Sequence, residues 1–213
     1  MLKDNKRTLI ITSFVILLPI PAGLFLWDRL PNLMATHFGF NGEANGFSSK
    51  AFAVFGLPLV CLLIQWIATL ITARDPRRQN ISPKMLGLVL WIVPIVSLFT
   101  SVMVYMVNLG LGINVSFMAE LLISIMFIII GNYLPKERQN YTIGIKIPWT
   151  LANEENWNKT HRLAGYLWVG GGIIMLLSTL CGIFRPEWTL AIIALMILVP
   201  CVYSCWLHVH RSQ

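Results

Sequence analysis

The sequence predicts an all-α polytopic membrane protein with six transmembrane helices and both termini in the cytoplasm. Three observations carry this. Hydrophobic residues make up 56% of the 213 and charged residues only 12%, against soluble averages of about 45–50% and about 25%. Six apolar runs, at roughly 8–27, 51–73, 85–108, 115–134, 165–184 and 188–207, each approach the ~20 residues that a helix needs to cross a hydrocarbon core of ~30 Å. Basic residues are also distributed unevenly: with the N-terminus inside, Lys3, Lys6, Arg7, Arg74, Arg77, Arg78, Lys84, Lys136, Arg138, Lys146, Lys159, Arg162 and Arg211 fall on the cytoplasmic side. Only Arg29, Lys50 and Arg185 fall outside, and this asymmetry sets orientation.

The first run is expected to stay in the membrane and not be cleaved as a signal peptide, because it is long, contains Pro19 and Pro21, and has no small-residue cleavage site before Asp28. Segment 28–50 then faces outward. It holds Pro31, His37, Phe38 and the turn dipeptides Asn41-Gly42 and Asn45-Gly46, which predict a compact, turn-rich loop. His37 has three readings, as a contact for an external partner, a pH sensor or a hydrogen-bonded anchor, of which the anchor is favoured.

Pro94 falls in the third run and Gly170-Gly171-Gly172 in the fifth. Kinks and close helix packing account for such residues, and Pro19, Pro21, Pro94 and the glycines stand only second as hinges. Glu120 is the one acid inside a predicted span. It is expected about four residues from the outer end, at most ~9 Å deep. A functional cavity or ion site there stands beside a simpler reading, snorkelling or pairing with a polar neighbour such as Asn114 or Arg185.

Between the fourth and fifth runs lies the most polar stretch, 135–164. Gly131 and Asn132 end a helix, Pro135 prevents its continuation, and Lys136, Glu137 and Arg138 meet water. Thr142 to Trp149 alternates apolar with small or polar residues, which predicts an extended segment along the membrane surface, with Trp149 as a headgroup-level anchor. Asn153 is a good N-cap, with Glu154 and Glu155 at the positive end of a short helix that feeds the fifth span.

The cysteines, Cys61, Cys181, Cys201 and Cys205, all lie inside predicted spans, with neither a disulfide framework nor zinc spacing. Cys201 and Cys205 share a helix face and read as packing residues, with His208 and His210 at the interface. No metal or cofactor is expected. The net charge of +7 is explained by topology and attraction to anionic membrane lipids, not by nucleic acid. Two parts are expected: a two-span unit, 1–84, with the outward loop 28–50, and a four-span unit, 85–213, with the cytoplasmic loop 135–164.

Two stretches carry a family resemblance. Pro31, His37-Phe38, Gly42, Gly46, Lys50 and Pro58 resemble the domain of unknown function that precedes the SdpI domain. Gly131-Asn132, Pro135-Lys136, Asn140, Gly144-Ile145-Lys146, Pro148-Trp149-Thr150-Leu151, Glu154, Trp157, Thr160-His161 and Gly165 resemble the SdpI signature itself. Lys146 departs from it: the family usually has Arg after Gly-Ile, and Lys keeps the charge but loses the planar fork.

The resemblance implies a non-enzymatic immunity protein of the bacterial cytoplasmic membrane, which protects the cell from a secreted membrane-active peptide toxin. It further implies signalling, through capture of a cytoplasmic transcriptional repressor of the ArsR type. The inner set comprises Asn132, Lys136, Asn140, Gly144, Lys146, Pro148, Trp149, Thr150, Trp157 and His161. The outer set comprises Pro31, His37, Asn41, Gly42 and Gly46. Two alternatives stand beside this reading. One is a membrane-surface enzyme acting on a lipid or peptide, with His161, Glu154, Glu155 or Glu137 as acid or base and Lys136, Arg138 or Lys146 on a phosphate. The other is a small transporter of amphiphiles that works as a dimer; a homo-oligomer is a partner expectation in either case.

Overall fold

The computed structural model describes residues 5–183 and 185–211; Lys3, counted above among the basic residues, lies outside them. Among the described residues, six helical segments are long and apolar enough to cross a membrane. The first is Lys6–Phe25, built from α1 (Lys6–Leu17) and α2 (Pro19–Phe25). Its break at Leu18 follows from Pro19, which cannot donate to a preceding turn and therefore opens a new helix. Strands β1 (Leu33–Phe38) and β2 (Ala44–Ser49) follow as an antiparallel hairpin. A π turn at Phe52–Gly56 leads into α3 (Leu57–Ala73). Pro58, lacking an N–H, is placed where a regular helix would otherwise need one, which is where such turns arise.

Helix α4 covers Pro83–Asn108. Helix α5 covers Val115–Tyr133 and tightens into a 3₁₀ turn at Leu134–Lys136. After the short α6 (Pro148–Ala152), α7 runs unbroken over Glu154–Leu180 and α8 over Pro186–Arg211. The short helix expected before the fifth span is therefore the first part of α7 itself. Its 27 residues extend about 40 Å at 1.5 Å per residue, longer than a hydrocarbon core of ~30 Å. The N-terminal turns of α7 therefore have length to spare at the interface.

Between 17% and 33% of each span's most apolar window is buried inside the protein. So much outward apolar surface is the signature of a lipid-facing bundle. The hairpin is the one departure from an all-helical chain among the described residues.

The chain forms two compact units. One comprises Met1–Ala73 with Leu86–Ser116. Its apolar core is Leu30, Met34, Ala53, Val54, Val104 and Tyr105, and Tyr105 Oη donates to the Pro19 carbonyl at 2.9 Å. At Gly23 a Cβ would stand 2.6 Å from Tyr105 Oη and 2.7 Å from Val54, so only glycine lets α2 come this close. Pro94 sits inside α4 and leaves the Leu90 carbonyl without its helical donor. Gln65, buried on α3, supplies that donor from its Nε2 at 2.8 Å, and Nε2 also lies 3.3 Å from Thr12 Oγ1 on α1.

The other unit comprises Arg74–Met85 with Phe117–Gln213. Pro200 interrupts α8 and frees the Met196 carbonyl; the Trp168 indole on α7 donates to it at 3.0 Å. Helices α5 and α7 meet through glycines. A Cβ at Gly131 would lie 2.8 Å from Trp168 Cβ, and one at Gly172 would lie 2.9 Å from the Ser124 carbonyl. Gly131 therefore does not stop a helix, since α5 continues to Tyr133; it allows a crossing. Gly171 is filled in the same way by Met196.

Removing Gln65 strands the Leu90 carbonyl in an apolar interior. Gln65→Leu is expected to destabilise the protein in detergent by ~1–2 kcal/mol. Pro94→Ala restores the helical donor, so the same Gln65→Leu change should have a smaller effect in that background. Unfolding midpoints of the four proteins in a double-mutant cycle measure the difference.

Candidate functional site

Two ordered elements lie outside the spans, the hairpin in the first unit and a two-loop cap in the second. The hairpin is held on three sides. Asn108, the last residue of α4, accepts from the Ala35 N–H and donates to the Ala35 carbonyl, both at 2.9 Å. Its amide thus acts as a one-residue third strand against the free edge of β1. Lys50 Nζ donates to the Trp27 carbonyl at 2.9 Å and lies 5.1 Å from the Trp27 ring. At the tip, Ser116 Oγ donates to the Phe40 carbonyl at 3.0 Å.

The outer residues divide by role. Asn41 Oδ1 accepts from the Glu43 N–H at 3.1 Å, an Asx turn, and Gly42 takes a φ of +81° where a Cβ would crowd Ser116 Oγ. Asn45-Gly46, read from sequence as a second turn, instead lies within β2 opposite a bulge. There Gly46 pairs with His37, and a Cβ at Gly46 would come within 2.8 Å of His37 Cβ. Exposed His37 donates from Nδ1 to Asn45 Oδ1 at 2.5 Å, the geometry of an anchor. Pro31 is exposed at the bend before β1. Leu33, Phe40 and Phe47 remain more than half exposed on this braced scaffold.

The cap is built by Arg74–Ser82 packing with residues 134–153. Its buried polar groups satisfy backbone that no helix or strand pairs. Asn140 Oδ1 accepts from the N–H groups of Thr142 at 3.0 Å and Ile143 at 2.7 Å, while Nδ2 donates to the Arg138 carbonyl at 2.9 Å. Gln139 Nε2 donates to the carbonyls of Thr150 at 2.6 Å and Leu151 at 2.9 Å, and its Oε1 accepts from Arg77. Asp75, 2% exposed, accepts from Arg77 N–H at 2.7 Å, Tyr141 N–H at 2.8 Å and Thr142 Oγ1 at 2.8 Å.

Thr142–Trp149 is not one extended run. Thr150 Oγ1 accepts from the Ile147 N–H at 3.1 Å, and with Pro148 in the first turn this starts α6. Asn153 does cap α7, accepting from Asn156 N–H at 2.9 Å.

Trp157 and His161 are the floor of the cap. Both are buried, and their rings stack at 3.9 Å and 20°. Trp157 Nε1 donates to the Glu137 carbonyl at 2.8 Å. His161 Nδ1 donates to the Trp157 carbonyl at 2.8 Å, and Nε2 accepts from the Ile145 N–H at 2.9 Å, which fixes the neutral tautomer. Both ring nitrogens are thereby committed to backbone. Gly144, at φ +120°, lies against this pair, where a Cβ would collide with His161 Nε2 and press on Trp157.

The remaining inner residues face out. Asn132, Lys136, Lys146 and Pro148 are exposed. Lys136 lies 5.0 Å over the Tyr133 ring, and Lys146 Nζ donates to the Thr142 carbonyl at 2.7 Å. Half-buried Trp149 packs 6.4 Å from His208.

Glu137 is 2% exposed, with Ser82 Oγ 3.3 Å from Oε2 and Asn140 Nδ2 3.3 Å from Oε1. Burial raises its carboxyl to about 7 against the opposing pull of the Ser82 hydrogen bonds. Glu120, for which a functional cavity or ion site stood beside snorkelling or pairing with a polar neighbour, is buried and accepts from Thr189 Oγ1 of α8 at 2.8 Å, so its polar neighbour is Thr189 and not Asn114 or Arg185. Among the described residues no cluster of three or more His, Cys, Asp or Glu is arranged to hold a metal.

Asp75, Arg77 and Gln139 were not singled out in sequence. Arg77 read only as a topology charge, and the turn-forming Asp75-Pro76 within a basic loop was the one available signal.

Fold and sites define a class: a multi-pass, six-span membrane protein with one rigid hairpin and one folded loop cap. Residues 136–204, from the cap to within α8, match the model of the SdpI/YfhL protein family, and residues 14–62, around the hairpin, match the domain of unknown function DUF1648. The chain is 26% identical over 200 residues to immunity protein SdpI of Bacillus subtilis (strain 168), covering 92% of this chain and 91% of that one. No solved structure matches. The chain thus carries an SdpI-family segment and is a multi-pass protein of the cell membrane.

Two outcomes test the cap. Because the folded carboxyl of Glu137 titrates near 7 and an ordinary one near 4.5, the folded state binds this proton more tightly. Its contribution is full below 4.5 and lost as pH rises through 7. Unfolding midpoints of the parent should fall across that window more steeply than those of Glu137→Gln. Gly144→Ala, which places a side chain at positive φ against His161, should lower the midpoint by an equivalent of ~1–3 kcal/mol.

Proposed function

We propose that this protein is an immunity factor that protects a bacterial membrane from a secreted, membrane-active peptide toxin. The observation that carries the reading is kinship over most of the length: alignment to immunity protein SdpI covers 92% of this chain and 91% of that protein, too much to leave out hairpin or cap. The excess of Lys and Arg on one set of connections supports an orientation with termini and cap in the cytoplasm and the hairpin outside.

In that orientation the hairpin is the element that meets the toxin. Its backbone is braced by Asn108, Lys50 and Ser116, so exposed Leu33, Phe40 and Phe47 are presented with little ordering left to lose on binding. A membrane-active peptide carries an apolar face that suits such a surface. In the cap, Lys136 and Lys146 are both exposed, which suits an acidic surface on a soluble partner such as an ArsR-type repressor. His161 and Trp157 hold that cap in shape.

The test is survival of a bacterium sensitive to a secreted toxin against which immunity protein SdpI gives resistance. Cells expressing this chain should survive, and Phe40→Ser with Phe47→Ser should lose most of the protection at equal membrane abundance. Sensitivity of cells carrying the correctly inserted parent chain overturns the reading.

A further inference from the structure

We propose that a groove between α7 and α8 is a specific site for a phospholipid with a zwitterionic headgroup carrying a phosphate and a primary ammonium. The groove has an apolar part of about 430 Å³, lined by Leu163, Leu198, Val199, Val202, Tyr203 and Trp206. A second part of about 210 Å³ shares Trp206 and is lined by Glu155, Asn156, Lys159, Leu207 and His210. The two parts adjoin at Trp206, the first apolar and the second bearing charge.

Sequence spacing explains the groove. Glu155, Lys159 and Leu163 are four apart and line one stripe of α7; Leu198, Val202, Trp206 and His210 are four apart and line one stripe of α8. From Leu198 to Trp206 the apolar stripe rises about 12 Å, close to the ~15 Å depth of one leaflet's hydrocarbon. An acyl chain lying along it replaces water or disordered lipid with a shaped apolar wall, and the charged end falls at headgroup level.

The charges at that end are of both signs. Lys159 Nζ pairs with Glu155 Oε1 at 2.8 Å, and both side chains are about half exposed, 50% and 46%. Such a pair is loosely held in water, and a lipid bearing phosphate and ammonium offers each member a new partner without leaving either charge unmatched. His210 donates from Nδ1 to the Trp206 carbonyl at 3.0 Å, which leaves Nε2 to accept from the ammonium; its ring lies 4.6 Å from Trp206. An anionic headgroup without an ammonium meets Glu155 as a like charge and is disfavoured. This site is independent of the toxin reading, since it requires only the fold.

The experiment reconstitutes the full chain in bilayers of equal parts phosphatidylethanolamine and phosphatidylglycerol, extracts it in mild detergent and counts retained lipids by native mass spectrometry. Phosphatidylethanolamine should be retained over phosphatidylglycerol by roughly two- to fivefold. Glu155→Gln should erase that preference while lipid remains bound. Lys159→Ala should lower retention of both lipids, and Val202→Trp, which fills the groove from its lipid side, should leave little of either. Circular dichroism and the unfolding midpoint verify that each variant is folded. Equal retention of both lipids by the parent, or a preference that survives Glu155→Gln, overturns the proposal.

Discussion

A carbonyl that loses its helical donor inside a membrane protein must find another, because lipid offers none. Two prolines create that demand here. Pro94 frees the Leu90 carbonyl and Pro200 frees that of Met196; Gln65 and Trp168, each on a neighbouring helix, supply the missing donors. The kink and the interhelical bond are thus one feature. Each bond fixes which face of a helix turns inward, where apolar surface cannot, since lipid satisfies that surface equally well. Glycines complete the arrangement: Gly23 in one unit, and Gly131 and Gly172 in the other, let backbones approach to distances any side chain forbids.

The same accounting governs the cap. A loop of this length with little regular structure leaves many N–H and C=O groups to satisfy. Asn140, Gln139, Thr150 and Asp75 meet them one by one, and the stacked Trp157 and His161 bind the loop to α7 through the Glu137 carbonyl and the Ile145 N–H. A histidine held in this way is a structural part. Lys136 and Lys146, by contrast, are exposed on this frame. The hairpin follows one logic with it: side-chain amides and hydroxyls from the helices, Asn108 above all, hold a short sheet too small to be stable alone.

Much of the architecture was legible because its causes are local. Spans follow from apolar length, the N-cap at Asn153 from its amide before two glutamates, and the tip of the outer loop from Asn41-Gly42. Other positions were misread because a residue type with one local meaning served a distant partner. Gly131 looked like a helix stop and is a crossing point; Asn45-Gly46 looked like a turn and accommodates a bulge; Glu120 looked suited to a polar neighbour such as Asn114 or Arg185 and is bound by Thr189. Gln139 carries no motif and Asp75 only the local turn signal of Asp75-Pro76, since their role depends on two loops 60 or more residues apart meeting at one face.

By itself, the sequence determined that this chain lives in a membrane, how many times it crosses, and which two stretches outside the spans carry its family character. Hydropathy, charge placement and turn chemistry act over a few residues, so they can be read in order along the chain. Only the tertiary structure decided which buried polar group answers which orphaned backbone atom, which inner residues build the cap and which face outward, and that α7 and α8 leave an apolar and a charged hollow adjoining at Trp206. Those outcomes rest on hydrogen bonds and close approaches of a few ångströms between segments far apart in sequence, and no local pattern records them.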